Sequence, residues 1–239
     1  MQVEISVESL AGARIAQEAG ADRVELCGSL SEGGLTPSWG LMWLVPGVID
    51  AHVLIRPRPG DFRYSGDELD VMFKDIEGVV LSGADGIVIG ALGEDGLLDP
   101  VCEEFVQAAG ELEVTLHRAI DVSASPERVL DQAMEMGFAR VLTSGQQRSA
   151  VDGAPLIKSL VAQAGSDIEI MACGGVRASN ALEVIAATGA AAVHAAPRKP
   201  VTGVPGGMVS YAGAGVPEGF DHFETDADEV TALCAVIRG

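Results

Sequence analysis

The chain has 239 residues, a length that suits one α/β barrel and can bury a large core. Lys and Arg number 15 against 35 Asp and Glu, for a net charge of −20, which repels nucleic acid and anionic lipid and argues against both as partners. No apolar run is long enough to span a bilayer and no basic leader precedes the first strand-like run, so a cytoplasmic protein without membrane contact is expected. Cys27, Cys102, Cys173 and Cys234 lie far apart with no Cys-x-x-Cys pair, which points to reduced thiols rather than a disulfide framework or a zinc knuckle.

The first strand is "VEISV" from Val3. In "EAGADRVEL" from Glu18, a helical pattern ends at Gly20, a residue that accepts the left-handed conformation closing a helix, and an apolar strand begins about three residues later. The same pattern returns in "LSGADGIVI" from Leu81, "EMGFARVLT" from Glu135 and "ATGAAAVHA" from Ala187, with Gly83, Gly137 and Gly189 in the closing place. These glycines lie about 50–60 residues apart, room for two strand-plus-helix units each. The intervening strands fall at "HVLIR" from His52, "VTLHR" from Val114 and "IEIMA" from Ile168. Helix starts are expected at Thr36-Pro37, Asp99-Pro100 and Ser125-Pro126, at the Ser65 and Glu68 capping box, at Ser179 or Asn180, and after Thr225, where Val230, Leu233, Cys234 and Ile237 keep helical spacing. Eight units of this kind predict a TIM-type (βα)8 barrel, a single α/β domain over residues 1–239. An open doubly wound sheet is the alternative, disfavoured because no Gly-x-Gly-x-x-Gly turn follows the first strand. The Gly/Pro-rich stretch at about 197–224 is too long for a simple connection and is expected to be a mobile lid or a disordered insertion.

In such a barrel, function sits at the C-terminal ends of the strands. Strand alternation puts Glu4 with Ser6, Glu25 with Cys27, and Thr115 with His117 on shared faces. If those faces point inward, carboxylates, imidazoles, a thiol and guanidinium groups converge on one mouth. Glu25, His117, Glu4 and Arg56 are the catalytic candidates. Glu4 and Glu25 have an equal structural reading, in which they cap the core by pairing with Arg56 or Arg58. Taken alone, Cys27 reads as a small buried hydrophobe. Cys102 and Cys234 read as helix packing, His52 as part of the stability face, and Trp39 with Trp43 as helix packing or a subunit contact.

"CGGVRASN", Cys173 to Asn180, offers the N–H groups of Gly174 and Gly175 ahead of a helix, and "TSGQ", Thr143 to Gln146, offers the same chemistry one unit earlier. Beside Arg56, Arg58 and Arg118 these turns suggest a carboxylate or phosphate ligand, a small anionic molecule. The substrate-binding candidates are therefore Arg58, Arg118, Asp121, Thr143, Ser144, Gly145, Gly174, Gly175 and His194. From the residues alone, an enzyme of lyase, isomerase or hydrolase type is one expectation, with Glu25 or His117 as acid or base.

"VELCGSLSEGGLTPSWG" from Val24, "IRPRPGDFRYS" from Ile55, "LHRAID" from Leu116 and "RVLTSGQ" from Arg140 resemble the CutC family of copper homeostasis proteins, from the first strand to about His194. The resemblance implies a TIM-type barrel, a cytosolic homo-oligomer (dimer or tetramer), and copper(I) as the one candidate cofactor, bound through cysteines near strand ends, with no settled reaction. Cys27 matches a family cysteine and becomes the metal-ligand candidate. The cysteine usual in strand one is here Ser6, a hard and poor ligand for copper(I), and the serine common after the strand-eight histidine is replaced by Ala195. Cys173 is a candidate second thiolate, three strands away from Cys27.

Overall fold

The computed structural model describes residues 1–203, 212 and 215–239. Eight parallel strands close into a barrel: β1 (Gln2–Val7), β2 (Arg23–Leu26), β3 (Ala51–Leu54), β4 (Gly86–Ile89), β5 (Glu113–Leu116), β6 (Arg140–Thr143), β7 (Glu169–Ala172) and β8 (Ala192–Ala195), each hydrogen-bonded to the next and β8 back to β1. The helices are α1 (Leu10–Ala19), α2 (Trp39–Leu44), α3 (Gly66–Ser82), α4 (Val101–Ala109), α5 (Pro126–Met136), α6 (Ala154–Ala164), α7 (Ala181–Thr188) and α8 (Ala227–Arg238). The expected (βα)8 order is present. Gly20, Gly83, Gly137 and Gly189 all close helices at positive φ, which is why the repeat was visible in the chain. None of the described helices is long and apolar enough to cross a membrane.

Local signals placed most helix starts correctly. Ser65 and Glu68 form the reciprocal capping box, and Ser125 accepts from the Arg128 N–H with Pro126 in the first turn. Thr36-Pro37 is a displaced start: α2 begins at Trp39 after Ser38, because the Thr36 hydroxyl is engaged by the Arg56 N–H at 3.0 Å. The two ends of the Gly/Pro-rich stretch form an antiparallel ribbon, β9 (Arg198–Val201) with β10 (His222–Thr225), where a mobile lid or a disordered insertion was expected. Within that stretch, residues 204–211, 213 and 214 lie outside the described residues.

Outward-facing Val3, Ile5, Val24, Ile87 and Val141 pack with Met72, Ile76, Phe105, Leu130 and Ile157 of the helices to form the main core. Inside the barrel the order is different. Arg23 and Arg140 enter from the N-terminal ends of β2 and β6 and fill that end with ions. Arg23 meets Glu4 at 2.6 Å and Glu169 at 3.4 Å, while Arg140 meets Glu113 at 2.9 Å and also Glu169. His52 adds a longer contact to Glu113 at 3.6 Å. Two small apolar groups lie above, Leu142 with Met171 and Ala192, and Leu54 with Val88 and Cys27. Above these, at the carboxyl ends of the strands, the barrel opens.

Candidate active site at the barrel mouth

A cavity of about 540 Å³ occupies the mouth. Glu25, His117, Arg56, Arg118, Asp121, Gly174, Gly175 and His194 all line it, together with Ser6, Cys173, Phe62, Arg177 and Arg198. The barrel register explains the central cluster. Glu4 stands opposite His194 of β8 on one side and Arg23 of β2 on the other, and Ser6 stands opposite Glu25.

The result is a chain of titrating groups. His194 Nδ1 lies 2.7 Å from Glu4 Oε1, and its Nε2 lies 3.9 Å from Glu25 Oε2, the oxygen that also accepts the Ser6 hydroxyl at 2.8 Å. Burial alone would raise the Glu4 carboxyl, but the His194 hydrogen bond and charge, with Arg23 behind, hold it well below the usual carboxylate range. Burial disfavours charge on His194, yet the carboxylates of Glu25 and Glu4 outweigh it and raise the imidazole above 6.5. Glu25 goes the other way: burial raises it above 4.5, and the nearby Glu4 charge adds to burial against the lowering effects of His194 and Ser6. Glu4 is thus an ionised anchor beneath the cavity, His194 an imidazole with raised proton affinity hydrogen-bonded to it, and Glu25 a carboxyl with increased proton affinity facing the open space.

His117 has another character. Gly90 leaves room for it, since a Cβ there would stand 2.9 Å from the imidazole Cε1. The ring packs on Phe62 with centroids 4.5 Å apart, and Nδ1 accepts the Ala119 N–H at 3.2 Å, leaving the proton on Nε2, which is buried without a hydrogen-bond partner among the described residues. Burial, and then the Arg56 charge, pull its pKa down to about 3. Folded His117 is therefore held neutral near pH 7, with its Nε2–H as a hydrogen-bond donor, whereas Glu25 and His194 both have raised proton affinity.

Several expected site residues stand away from the cavity. Glu4 lies below it and pairs with Arg23, not with Arg56 or Arg58. Arg58 is a loop brace, held by Glu68 at 2.6 Å and Asp61 at 3.0 Å. Thr143, Ser144 and Gly145 are second-row residues. Thr143 Oγ1 and the Ser144 N–H donate to the Asp121 carboxylate at 2.6 and 3.0 Å, and the Gly145 N–H donates to Thr143 Oγ1 at 2.9 Å. That carboxylate also receives Arg118 Nε at 2.8 Å, so the loop after β6 positions the Arg118–Asp121 pair and takes no direct part in lining the space. Cys27 is fully buried beneath the cavity and does not line it.

Arg177 and Arg198 were overlooked in the sequence. Arg177 sits inside the quoted run "CGGVRASN", where attention went to the glycines, and Arg198 lies in the Gly/Pro-rich stretch read only as a loop.

Fold and site together define an α/β barrel with an acid–base cluster and guanidinium groups around one open mouth. The chain belongs to the CutC family, whose model matches residues 1–199. It is 49% identical over 204 residues to a family protein CutC of Xanthomonas campestris, covering 84% of this chain and 85% of the relative. A Xylella fastidiosa family protein CutC is 45% identical over 238 residues, covering 98% of this chain and 88% of the relative. Among solved structures, CutC from Streptococcus agalactiae, which carries the name of a copper homeostasis protein, superposes with a TM-score of 0.76 at 32% identity, covering 81% of this chain and 97% of that one.

Proposed function

We propose that this chain is a barrel enzyme acting on a small anionic molecule, with Glu25 as the group that gives or takes the proton and His194 as the residue that positions it. The observation that carries this reading is the Glu4–His194–Glu25 row, where one carboxyl is held ionised and its neighbour is pushed toward the neutral form by burial at an open cavity. Glu4, held ionised below the cavity, keeps His194 in place, and Glu25, with raised proton affinity at the cavity wall, is the group that exchanges a proton with the substrate. His117 Nε2–H and Arg118 supply donors for charge developing on the substrate. Thermal-shift screening of phosphate, sulfate and small carboxylates tests the reading. Anions should stabilise the wild type, and Glu25→Gln should retain that response with a weaker dependence on pH. No stabilisation by any anion would overturn it.

Copper(I) is the finer function suggested by the relatives' name, with Cys27 as its ligand. The donor set does not fit that ion. Burial, and then the Glu25 charge, push the Cys27 thiol well above 9.0, and its hydrogen-bond partners among the described residues are hard oxygens, Ser6 Oγ at 3.4 Å and the Val7 carbonyl at 3.6 Å. Among the described residues no group of three or more His, Cys, Asp or Glu side chains is arranged to hold a metal. Competition with a copper(I) chelator decides the point: Ser6→Cys should bind copper(I) more tightly than the wild type, and equal affinities would sink the two-cysteine model. A reducing cytoplasm is the compartment proposed, supported by four free, buried cysteines.

A further inference from the structure

We propose that the substrate carries two anionic groups, one at each side of the mouth, so that its middle lies against Glu25 and His194; this rests on the acid–base reading above. Four arginines line the cavity, and the Arg118 charge is matched by Asp121 at 2.8 Å. Among the described residues, Arg56, Arg177 and Arg198 have no carboxylate at ion-pair distance. In a chain of net charge −20, three unmatched guanidinium groups around one cavity constitute a local reversal of sign.

The two sides are built differently. On one side Arg56, only 6% exposed, donates to the carbonyls of Glu32 (3.0 Å), Gly34 (2.8 Å) and Gly60 (2.8 Å), lies over the Phe62 ring and, among the described residues, keeps a buried Nε without a hydrogen-bond partner. Carbonyls fix its position but leave its full charge in place. On the other side, Gly174 and Gly175 stand at φ 97° and 72°, and among the described residues their N–H groups donate to no protein acceptor. Arg177 follows after Val176, and Arg198, held over the Phe223 ring at 4.9 Å, also lines the cavity.

Arg56 follows β3 and the glycine turn follows β7. These strands are four places apart in a closed ring of eight, hence diametrically opposed. One phosphate cannot touch both. Between them along the wall come β2, β1 and β8, which carry Glu25, Ser6 and His194 in that order. A short carbon chain ending in phosphate at the glycine turn and in a carboxylate or second phosphate at Arg56 would present its central atoms to the acid–base pair. The class is a small phosphorylated carboxylate or a bisphosphate.

The test is calorimetric titration with inorganic phosphate, alkylphosphonates, and ω-phosphonocarboxylates and α,ω-bisphosphonates of increasing length. One length should bind at least about tenfold tighter than the matching monoanionic probe, equivalent to about 1.4 kcal/mol. Arg56→Gln, with its fold checked by circular dichroism, should erase that advantage and leave phosphate affinity within twofold. Arg177→Gln should weaken phosphate and dianion together. Equal affinity for single-ended and double-ended probes at every length would overturn the proposal, as would equal weakening of phosphate and dianion by Arg56→Gln, the result expected if Arg56 were only a loop clamp. If Arg56→Gln fails to fold, the wild-type length series decides alone. Phosphate binding without a dianion advantage overturns this inference and spares the acid–base reading, whereas no anion binding overturns both.

Discussion

Lowering the pH from neutrality should charge His117 in the unfolded chain and not in the folded one. The unfolded imidazole takes its proton near 6.5, whereas the folded one, neutral in its pocket against Phe62, resists until about 3. A base whose folded pKa is depressed contributes no penalty above 6.5 and an increasing one as pH falls from there toward 3. Once the unfolded ring is mostly protonated, each pH unit costs about 1.4 kcal/mol. Between about pH 5.5 and 4.5, His117 should therefore remove roughly 1.3 kcal/mol of stability. His52, pulled down to about 4 by burial, adds a similar slope over the same interval. Urea unfolding in half-unit pH steps, comparing wild type with His117→Gln, isolates the first contribution: the variant should lose roughly 1.3 kcal/mol per pH unit less than the wild type. Equal slopes would mean that folded His117 titrates normally and would refute its role as a neutral donor.

Arg23→Met should lower stability by about 3–5 kcal/mol, because it strips Glu4 of its 2.6 Å partner and leaves a buried carboxylate short of compensation; a loss under 1 kcal/mol in urea unfolding would show that the lower ion cluster is dispensable. Gly153→Ala should cost about 1–3 kcal/mol or more, since its Cβ would stand 1.9 Å from the Ser144 carbonyl oxygen and displace the loop that fastens Asp121; an unchanged melting temperature would contradict that geometry. A homo-oligomer, dimer or tetramer, is the proposed assembly, supported by Trp39 and Trp43, 55% and 48% exposed on α2. Light scattering should show Trp39→Ser/Trp43→Ser at monomer mass, and an unchanged mass would move the interface elsewhere.

The fold was legible because barrel order is written in local chemistry: a glycine at each second helix end, a strand three residues on, and caps such as Ser125-Pro126. The site was legible to the depth of one strand. Alternation along β1, β2 and β5 put Glu4 with Ser6, Glu25 with Cys27 and Thr115 with His117, and these pairs do face inward. Partners across strands were not legible, because pairing depends on the register adopted when the barrel closes. Glu4 was therefore assigned to Arg56 or Arg58, whereas the β1–β2 register sets it opposite Arg23. The same limit hid Arg140, which reads from sequence as a charged residue before an apolar run and in fact gathers Glu113 and Glu169 inside the barrel. Arg58 misled for the opposite reason: two residues beyond Arg56, it is already in the loop, where Glu68 of the next helix takes it.

Calorimetry with sulfate, an anion that does not itself titrate near neutrality, tests the account most directly when run at a series of pH values from 5 to 8 in buffers of different ionisation enthalpy. If the mouth is an acid–base site for anions, sulfate should bind with net proton uptake, because the added negative charge raises Glu25 and His194 further, and Glu25→Gln should reduce that uptake. Absence of binding, or binding with no proton uptake in the wild type, would contradict it.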